Sequence, residues 1–281
     1  MKIASWNRGV ARALGRMGLA LVLTLAVSAA RADQKIGVVL LHGKLGSPIG
    51  MGGPGTQPVG ARLMAALKGA GYLVAAPEMC WSKRRGFDKP RADCLAEIDT
   101  AVAGLKKDGA TAIVVGGVSL GGNVAIEYGA THAGLLGVIG IGPADDARAK
   151  SGRPEIAAAI ARARQLAAAG KGDQSDSFVD VNTGAQGSYP MAVNTTARIY
   201  LSFFDPATVG GIADRVAKLQ APILWIAGSA DPTQREAETR VFALAPANPM
   251  NRFVRVQANH LTAADAGSDA VLAWLGELAK R

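Results

Sequence analysis

The sequence predicts an α/β fold, with a mostly parallel sheet that helices cover on both faces. Short, continuously apolar runs alternate along the chain with longer Ala-rich stretches. A continuously apolar run is typical of a strand buried on both faces, and its alternation with helices is typical of a parallel sheet. No internal repeat or low-complexity linker divides the chain, so we predict one domain over residues 33–281.

The predicted elements follow one another in regular order. Apolar runs predict strands at residues 36–41, 72–75, 112–116, 135–141, 222–228 and 252–257. The stretches between and after them predict helices at residues 59–70, 92–107, 121–131, 236–245 and 263–280.

Residues 143–215 interrupt this alternation, because the interval is far longer than a single crossover helix requires. A helix is predicted at residues 154–169 and a second at 195–204, with a hairpin between them formed by 178–181 and 191–193. We predict that residues 143–215 form a small cap insertion over the carboxyl edge of the sheet. The alternative is an excursion packed on the side of the domain.

The first 32 residues have the parts of a secretory signal peptide. Residues 1–16 contain basic residues and no acid, residues 17–27 are apolar, and Ala30 and Ala32 fit the site at which a signal peptidase cuts. A membrane anchor is the alternative, but the apolar run is shorter than the about 20 residues that a bilayer core requires. We therefore expect cleavage after Ala32 and a periplasmic or secreted protein without a stable membrane anchor.

The formal charge of +9 overstates how basic the mature protein is. Five of the 31 basic residues lie in the first 32 residues, which contain no acid, and the remaining chain has a charge of +4. So mild an excess gives no reason to expect a nucleic-acid partner.

The chain contains two cysteines, Cys80 and Cys94, without the further ligands of a metal site. Export to an oxidising compartment predicts a disulfide between them, and two buried free thiols are the alternative. The bond would close a short loop that carries several basic residues: Lys83, Arg84, Arg85, Lys89 and Arg91.

Ser119 is the candidate nucleophile. It lies in Gly117-Val118-Ser119-Leu120-Gly121, directly after the third predicted strand and directly before the helix at 121–131. In this strand–turn–helix setting a G-x-S-x-G motif presents a serine at the edge of a sheet, and the tight turn requires small residues beside it.

A serine hydroxyl becomes a good nucleophile when a base takes its proton. Of the three histidines, His260 alone follows the last predicted strand, where a hydrolase sheet presents its base. His132 ends a predicted helix and is expected to be a dipole partner or a solvated residue. We therefore predict that His260 is the base.

The base in turn needs a carboxylate that orients it. Asp231 lies just past the fifth predicted strand and is our candidate. Asp145 and Asp146, which follow the fourth strand, are the alternatives, and a helix cap is their structural interpretation.

The oxyanion of the reaction needs two N–H donors. We predict the backbone N–H of Leu120 as one donor. The loop at residues 42–47 supplies the other, from Lys44 or, as the second candidate, Leu45, while His42 braces this loop. The Gly-rich stretch at 43–60 lacks the G-K-[ST] spacing of a phosphate-binding loop.

Substrate contacts are expected from Leu45 and from three aromatic residues of the 143–215 segment. Tyr200, Phe203 and Phe204 are predicted to line an apolar acyl site, with packing in the core as the alternative. The basic loop around Lys83 has two interpretations: it favours an anionic substrate, or it is a solvated surface loop.

Four elements together resemble the α/β-hydrolase superfamily: the His42-Gly43 loop, the elbow at 117–121, the Asp231 turn and the His260 loop. The order Ser119, Asp231, His260 is the order of the triad in that superfamily. The resemblance implies an eight-stranded, mostly parallel sheet, acyl-enzyme chemistry and no cofactor. The chain is similar to small carboxylesterases and dienelactone-hydrolase-like members, although Ser119 stands where the dienelactone hydrolases carry Cys.

The function that this resemblance implies is hydrolysis of a carboxylic ester of a small molecule by a serine hydrolase. A peptidase or thioesterase on the same fold is one alternative. A catalytically silent binding protein is the other, but it would have no need of the complete set of Ser, Asp, His and Gly-rich loop.

Overall fold

Parallel strands form the central sheet in the computed structural model, which describes residues 34–52, 58–144, 146–184 and 187–281, without the side chain of Thr183. The strands are β1 (Ile36–Leu41), β2 (Leu73–Ala75), β3 (Ala112–Val118), β4 (Gly137–Ile141), β5 (Ser175–Gly184), β6 (Gly187–Thr196), β7 (Ile223–Gly228) and β8 (Arg252–Val256). Six of them pair in the order β2-β1-β3-β4-β7-β8, and every pairing in this sheet is parallel. The predicted α/β class is confirmed, but the expected eight-stranded sheet has six strands within the described residues.

Helices cover both faces of this sheet. They are α1 (Ala61–Gly69), α2 (Arg91–Lys107), α3 (Leu120–Thr131), α4 (Ala147–Lys150), α5 (Pro154–Ala168), α6 (Ala197–Phe204), α7 (Pro206–Val209), α8 (Ile212–Val216), α9 (Ala237–Arg240), α10 (Ala263–Ala266) and α11 (Ser268–Leu278). No helix in the described parts of the chain is long and apolar enough to cross a bilayer. The expected signal peptide, residues 1–32, lies outside the described residues.

Alternate residues of each inner strand enter two separate cores. In β1, Val39 and Leu41 join the core formed with α2, α3, α5 and α6, whereas Val38 and Leu40 join the core formed with α1 and α11. Because successive side chains of a strand point to opposite faces, both faces must be apolar for both cores to form. This explains why the strands are continuously apolar runs.

The segment between β4 and β7 contains α4, α5, the antiparallel hairpin β5–β6, and α6 to α8. The expected hairpin is therefore present. Helix α6 begins at Ala197 rather than at residue 195, because Thr195 and Thr196 continue β6 and the Thr196 hydroxyl accepts a hydrogen bond from the Ile199 N–H at 3.3 Å.

Two predicted helices are shorter than expected. The helix expected at 236–245 consists of α9 and a 3-10 turn at Phe242–Leu244, because Val241 leaves helical geometry and Ala245, which precedes Pro246, is extended. The helix expected at 263–280 is divided at Gly267 into α10 and α11.

The predicted disulfide is present between Cys80, in the loop after β2, and Cys94, in α2. Its Cα atoms lie 5.8 Å apart and both residues are buried in the core. The bond ties the loop that carries Lys83 and Arg85 to a helix on one face of the sheet.

Candidate active site

Ser119 lies at the sharp turn between β3 and α3. Its backbone has φ 56° and ψ −119°, a combination that L-residues rarely adopt and that costs about 1–3 kcal/mol. A Cβ on Gly117 would lie 2.4 Å from the carbonyl carbon of Gly121, and a Cβ on Gly121 would lie 2.5 Å from the backbone oxygens of Leu41 and His42. The turn can therefore form only with glycine at both positions.

His260 and Asp231 reach Ser119 from the ends of neighbouring strands. The Nε2 atom of His260 lies 2.9 Å from the Ser119 Oγ, and its Nδ1 lies 2.6 Å from the Asp231 Oδ2. His260 follows β8 and Asp231 follows β7, so the parallel sheet brings both to the edge at which β3 ends. The structure thus brings together the three residues that the sequence predicted.

The surroundings of Asp231 favour its charged form. Burial opposes ionisation, but the hydrogen bond and charge of His260 and the two hydrogen bonds from Thr233 outweigh it, so the pKa of Asp231 is lowered. The second oxygen, Oδ1, accepts from the Thr233 N–H at 2.9 Å and from its hydroxyl at 2.7 Å. The carboxylate is therefore held on both oxygens, with Oδ2 directed at His260.

Asp146, one of the two alternative carboxylates, does not join this arrangement. Asp146 caps α4 by accepting a hydrogen bond from the Arg148 N–H at 2.9 Å, which is the helix-cap role given as its alternative. Asp145 lies outside the described residues. His132 stacks on Tyr128 at 3.8 Å between ring centroids, at the end of α3.

The loop at residues 42–47, which we call the oxyanion loop, lies beside Ser119. A Cβ on Gly43 would lie 3.4 Å from the Ser119 Cβ. The N–H of Leu45 donates to the Trp81 carbonyl at 2.9 Å, so it is engaged away from Ser119. This bond disfavours Leu45 as the second donor of the loop. Leu120 is the first residue of α3, where a helix N–H has no acceptor within the helix.

His42 uses both ring nitrogens to hold this loop. Its Nε2 accepts from the Met79 N–H at 3.0 Å, which leaves Nδ1 to donate to the Gly43 carbonyl at 2.8 Å. Burial lowers the pKa of His42, in keeping with a neutral ring whose Nε2 accepts. This is the bracing role expected for His42.

A buried ion pair that the sequence did not indicate ends at the oxyanion loop. The ammonium of Lys44 donates to the Asp180 carboxylate and, at 2.7 Å, to the Val181 carbonyl. Lys150 of α4 donates to the same two residues, at 3.0 Å and 2.8 Å. Asp180 lies in the middle of β5, far from Lys44 in the sequence, and no motif connects them.

A cavity of about 190 Å³ contains Ser119 and His260. Its other lining residues are His42, Gly43, Lys44, Leu45, Gly46, Ser47, Ile49, Met51, Val59, Lys83, Val118, Asn182 and Leu261. Leu45 lies in the wall, as expected. Among the described residues of the lining there are cations and no carboxylate.

Three predicted substrate contacts lie elsewhere. Tyr200, Phe203 and Phe204 are buried in the core with Phe87 and Phe178, and they are absent from the lining of this cavity. The expectation that they line an acyl site was wrong, and the alternative of core packing holds. The Tyr200 hydroxyl donates to the Val179 carbonyl at 2.6 Å, and burial together with the charge of Asp180 raises the pKa of Tyr200.

Most of the basic loop is neutralised by acids. Arg84 pairs with Glu78, Arg85 with Asp88 and Glu97, Lys89 with Glu97, and Arg91 with Glu127. Lys83 instead lines the cavity, and its backbone N–H donates to the Gly46 carbonyl of the oxyanion loop at 3.1 Å.

No protein-family profile and no curated protein sequence matches the chain. Solved structures do. They include the α/β-hydrolase GrgF from a Penicillium species, at a TM-score of 0.62 and 14% identity over 89% of this chain and 91% of that one. A monoacylglycerol lipase from Paleococcus ferrophilus superimposes with a TM-score of 0.60 and 22% identity, over 86% of this chain and 94% of the lipase. Est1E from Butyrivibrio proteoclasticus, solved with bound ferulic acid, superimposes with a TM-score of 0.58 and 16% identity, over 89% of this chain and 92% of Est1E. At these identities the likeness establishes architecture, and the chain has the α/β-hydrolase fold.

Proposed function

We propose that this chain is an exported serine hydrolase that cleaves carboxylic esters of small molecules through an acyl-enzyme. The observation that carries the proposal is the unbroken line of contacts from Asp231 through His260 to Ser119. The three side chains are buried and line up at the strained turn of the sheet edge. A buried arrangement of these residue types in this order is suited to acyl transfer.

In the acylation step, the Ser119 Oγ attacks the acyl carbonyl carbon while the His260 Nε2 accepts the hydroxyl proton. Asp231, hydrogen-bonded to Nδ1, holds the ring in the tautomer whose Nε2 is free to accept, and stabilises the imidazolium that forms. When the C–O bond to the leaving group breaks, His260 returns the proton to the departing alcohol.

The tetrahedral oxyanion is held by the N–H groups of Leu120 and Lys44. The first lies at the amino end of the twelve-residue helix α3, where the helix dipole also favours negative charge. A donor in this position contributes about 3 kcal/mol at the transition state.

In the deacylation step, water attacks the acyl-enzyme while His260 accepts one of its protons. Breakdown of the second tetrahedral intermediate releases the carboxylic acid and returns the proton to Ser119.

The cavity favours a short acyl group. Its volume of about 190 Å³ is below the range of about 300–1,000 Å³ that is typical of sites for drug-sized ligands. Apolar side chains including Leu45, Ile49 and Leu261 line it. The lipase and esterase among the structural neighbours support ester hydrolysis.

The proposal that the protein is exported rests on the composition of the residues before position 33. The disulfide also supports it, because such bonds persist in oxidising compartments. Sequencing the amino terminus of protein recovered outside the cytoplasm tests this proposal. A mature terminus at Asp33 supports it, and a terminus at Met1 contradicts it.

Turnover of p-nitrophenyl acetate, butyrate and octanoate, of matched acyl thioesters, and of chromogenic peptides tests the proposed reaction. We expect kcat/KM to be highest for the two short esters and to fall to background in Ser119→Ala. The control is Ser177→Ala, an exposed serine on β5, which is expected to retain wild-type turnover. Preference for thioesters or peptides would transfer the assignment to that class. Absence of all turnover in folded protein would favour a silent binding protein.

A further inference from the structure

We propose that Lys44 and Asp180 are positioning residues that hold the oxyanion loop in its reactive geometry. The inference rests on the proposed function, because it assigns a role to a side-chain contact behind the Lys44 N–H. Neither side chain is a catalytic residue in this account. Their contact fixes where the backbone donor lies.

The contact is fully enclosed. The side chains of Lys44 and Asp180 are 1% and 0% exposed. The ammonium donates both to the carboxylate and to the carbonyl of the next residue, Val181, at 2.7 Å. Two hydrogen bonds to adjacent groups of one strand fix the direction of the Lys44 side chain as well as its reach.

The rest of the loop is fixed on the other side of Lys44. Leu45 has φ 49° and donates to the Trp81 carbonyl, and the Gly46 N–H donates to the Gly43 carbonyl at 3.0 Å. These bonds define the turn that follows Lys44. The bonds to Asp180 and Val181 act on Lys44 itself and set its orientation relative to Ser119.

A buried ammonium is an unusual choice for this position, because burying a charge costs free energy that an apolar side chain would not require. A methionine would fill a similar volume without a directional bond. What the pair adds is a directional bond on the residue whose own backbone N–H is the proposed oxyanion donor, and the position of that N–H affects the rate.

Lys150 provides a matched comparison. It also donates to Asp180 and to the Val181 carbonyl, and its side chain is 16% exposed. It belongs to α4 and not to the oxyanion loop. Replacing either lysine with methionine leaves Asp180 with the other lysine, and the two variants differ in whether the oxyanion loop or α4 loses its bonds to β5.

The experiment compares Lys44→Met, Asp180→Asn and Lys150→Met in the full mature chain. For each, kcat and KM for a short p-nitrophenyl ester are measured. The Ki of a trifluoromethyl ketone, which forms a tetrahedral adduct with a negatively charged oxygen, is measured alongside Tm.

We expect Lys44→Met and Asp180→Asn to lower kcat about 10- to 100-fold, part of the loss that follows removal of a whole donor. KM is expected to stay within threefold, and the Ki of the ketone to rise by the same factor as kcat falls. Lys150→Met is expected to change kcat and Ki less than threefold while lowering Tm. If Lys44→Met does not fold, Lys44→Gln, whose amide is one bond shorter than the lysine and uncharged, replaces it and is expected to lower kcat and raise the Ki of the ketone by the same factor.

An equal fall in kcat and an equal rise in Ki in Lys44→Met and Lys150→Met would overturn the inference and leave the proposed function standing. A lower Tm in Lys44→Met without a change in kcat or Ki would do the same. A folded wild-type protein that neither hydrolyses esters nor binds the ketone would overturn both.

Discussion

The Oδ2 atom of Asp231 lies 2.6 Å from the Nδ1 of His260, so the carboxylate fixes which ring nitrogen carries the proton. An amide at this position could direct its NH₂ group at the ring and favour the opposite tautomer. We expect Asp231→Asn to lower kcat about 10,000-fold with little change in KM. Steady-state kinetics on a short ester measure this, and a loss below tenfold would contradict the orienting role.

Replacing either glycine of the elbow, Gly117 or Gly121, is expected to hinder folding sterically. Gly121→Ala would place a methyl group 2.5 Å from two backbone oxygens that the sheet holds in place. We expect it to lower the free energy of unfolding by more than about 2 kcal/mol and to abolish labelling of Ser119. Gly104→Ala is the control, because its added Cβ meets nothing within 4 Å in α2. It is expected to be neutral or to stabilise by about 0.5–1 kcal/mol.

Stability is expected to decrease on mild acidification because of His42. Burial lowers its folded-state pKa below the unfolded value of 6.5. Below pH 6.5 the unfolded chain therefore takes up a proton that the folded protein does not, and the free energy of unfolding falls until the pH reaches the folded pKa. Urea unfolding at pH 7.5, 6.5 and 5.5 should show a steeper pH slope for the wild type than for His42→Asn. Parallel slopes would contradict the assignment of a neutral, buried His42.

The disulfide is expected to stabilise the fold rather than to take part in the chemistry. It closes a loop with a sequence separation of 14, for which chain entropy predicts about 3 kcal/mol. A Cys80→Ser/Cys94→Ser double variant should have a lower Tm and near-normal kcat at 25 °C. Thiols that can be tagged on both cysteines in exported wild-type protein would contradict the bond.

From the position of Lys83 in the cavity wall we expect a preference for esters that carry a carboxylate. It lines the cavity, whose described lining contains no acid, whereas the other basic residues of its loop are paired. We expect Lys83→Gln to lower kcat/KM for a p-nitrophenyl hydrogen glutarate about tenfold relative to the butyrate. Lys89→Gln, which lies in the same loop and pairs with Glu97, is the control and should leave this ratio within twofold. An unchanged ratio in Lys83→Gln would mean that the lysine is solvated.

The parts of the site that could be predicted from sequence are those fixed by local geometry. The elbow has its own steric requirement, which Gly117 and Gly121 reveal. In a parallel sheet the carboxyl ends of all strands meet at one edge, so position after a strand indicated His260 and Asp231, although it left Asp145 and Asp146 as alternatives to Asp231. The disulfide was predicted from the presence of two cysteines and from the expectation of an oxidising compartment.

The parts that could not be predicted depend on tertiary packing. The aromatic residues of α6 look the same in sequence whether they face a cavity or a core, and only the position of the 143–215 segment decides between them. The contact of Lys44 with Asp180 joins residues 136 positions apart, and a lone aspartate in a hairpin does not reveal its partner. The helix expected at 236–245 is interrupted at Val241, where the backbone leaves helical geometry, and the apolar pattern of the sequence does not indicate this break.

The central claim is that Ser119 is the nucleophile, and covalent modification tests it most directly. Folded mature protein is treated with a fluorophosphonate, digested, and the modified peptide is mapped by mass spectrometry, with Ser119→Ala treated in parallel. The account predicts a stoichiometric adduct on Ser119 and none in the variant. An adduct on another serine, or no adduct on folded wild-type protein, would contradict it.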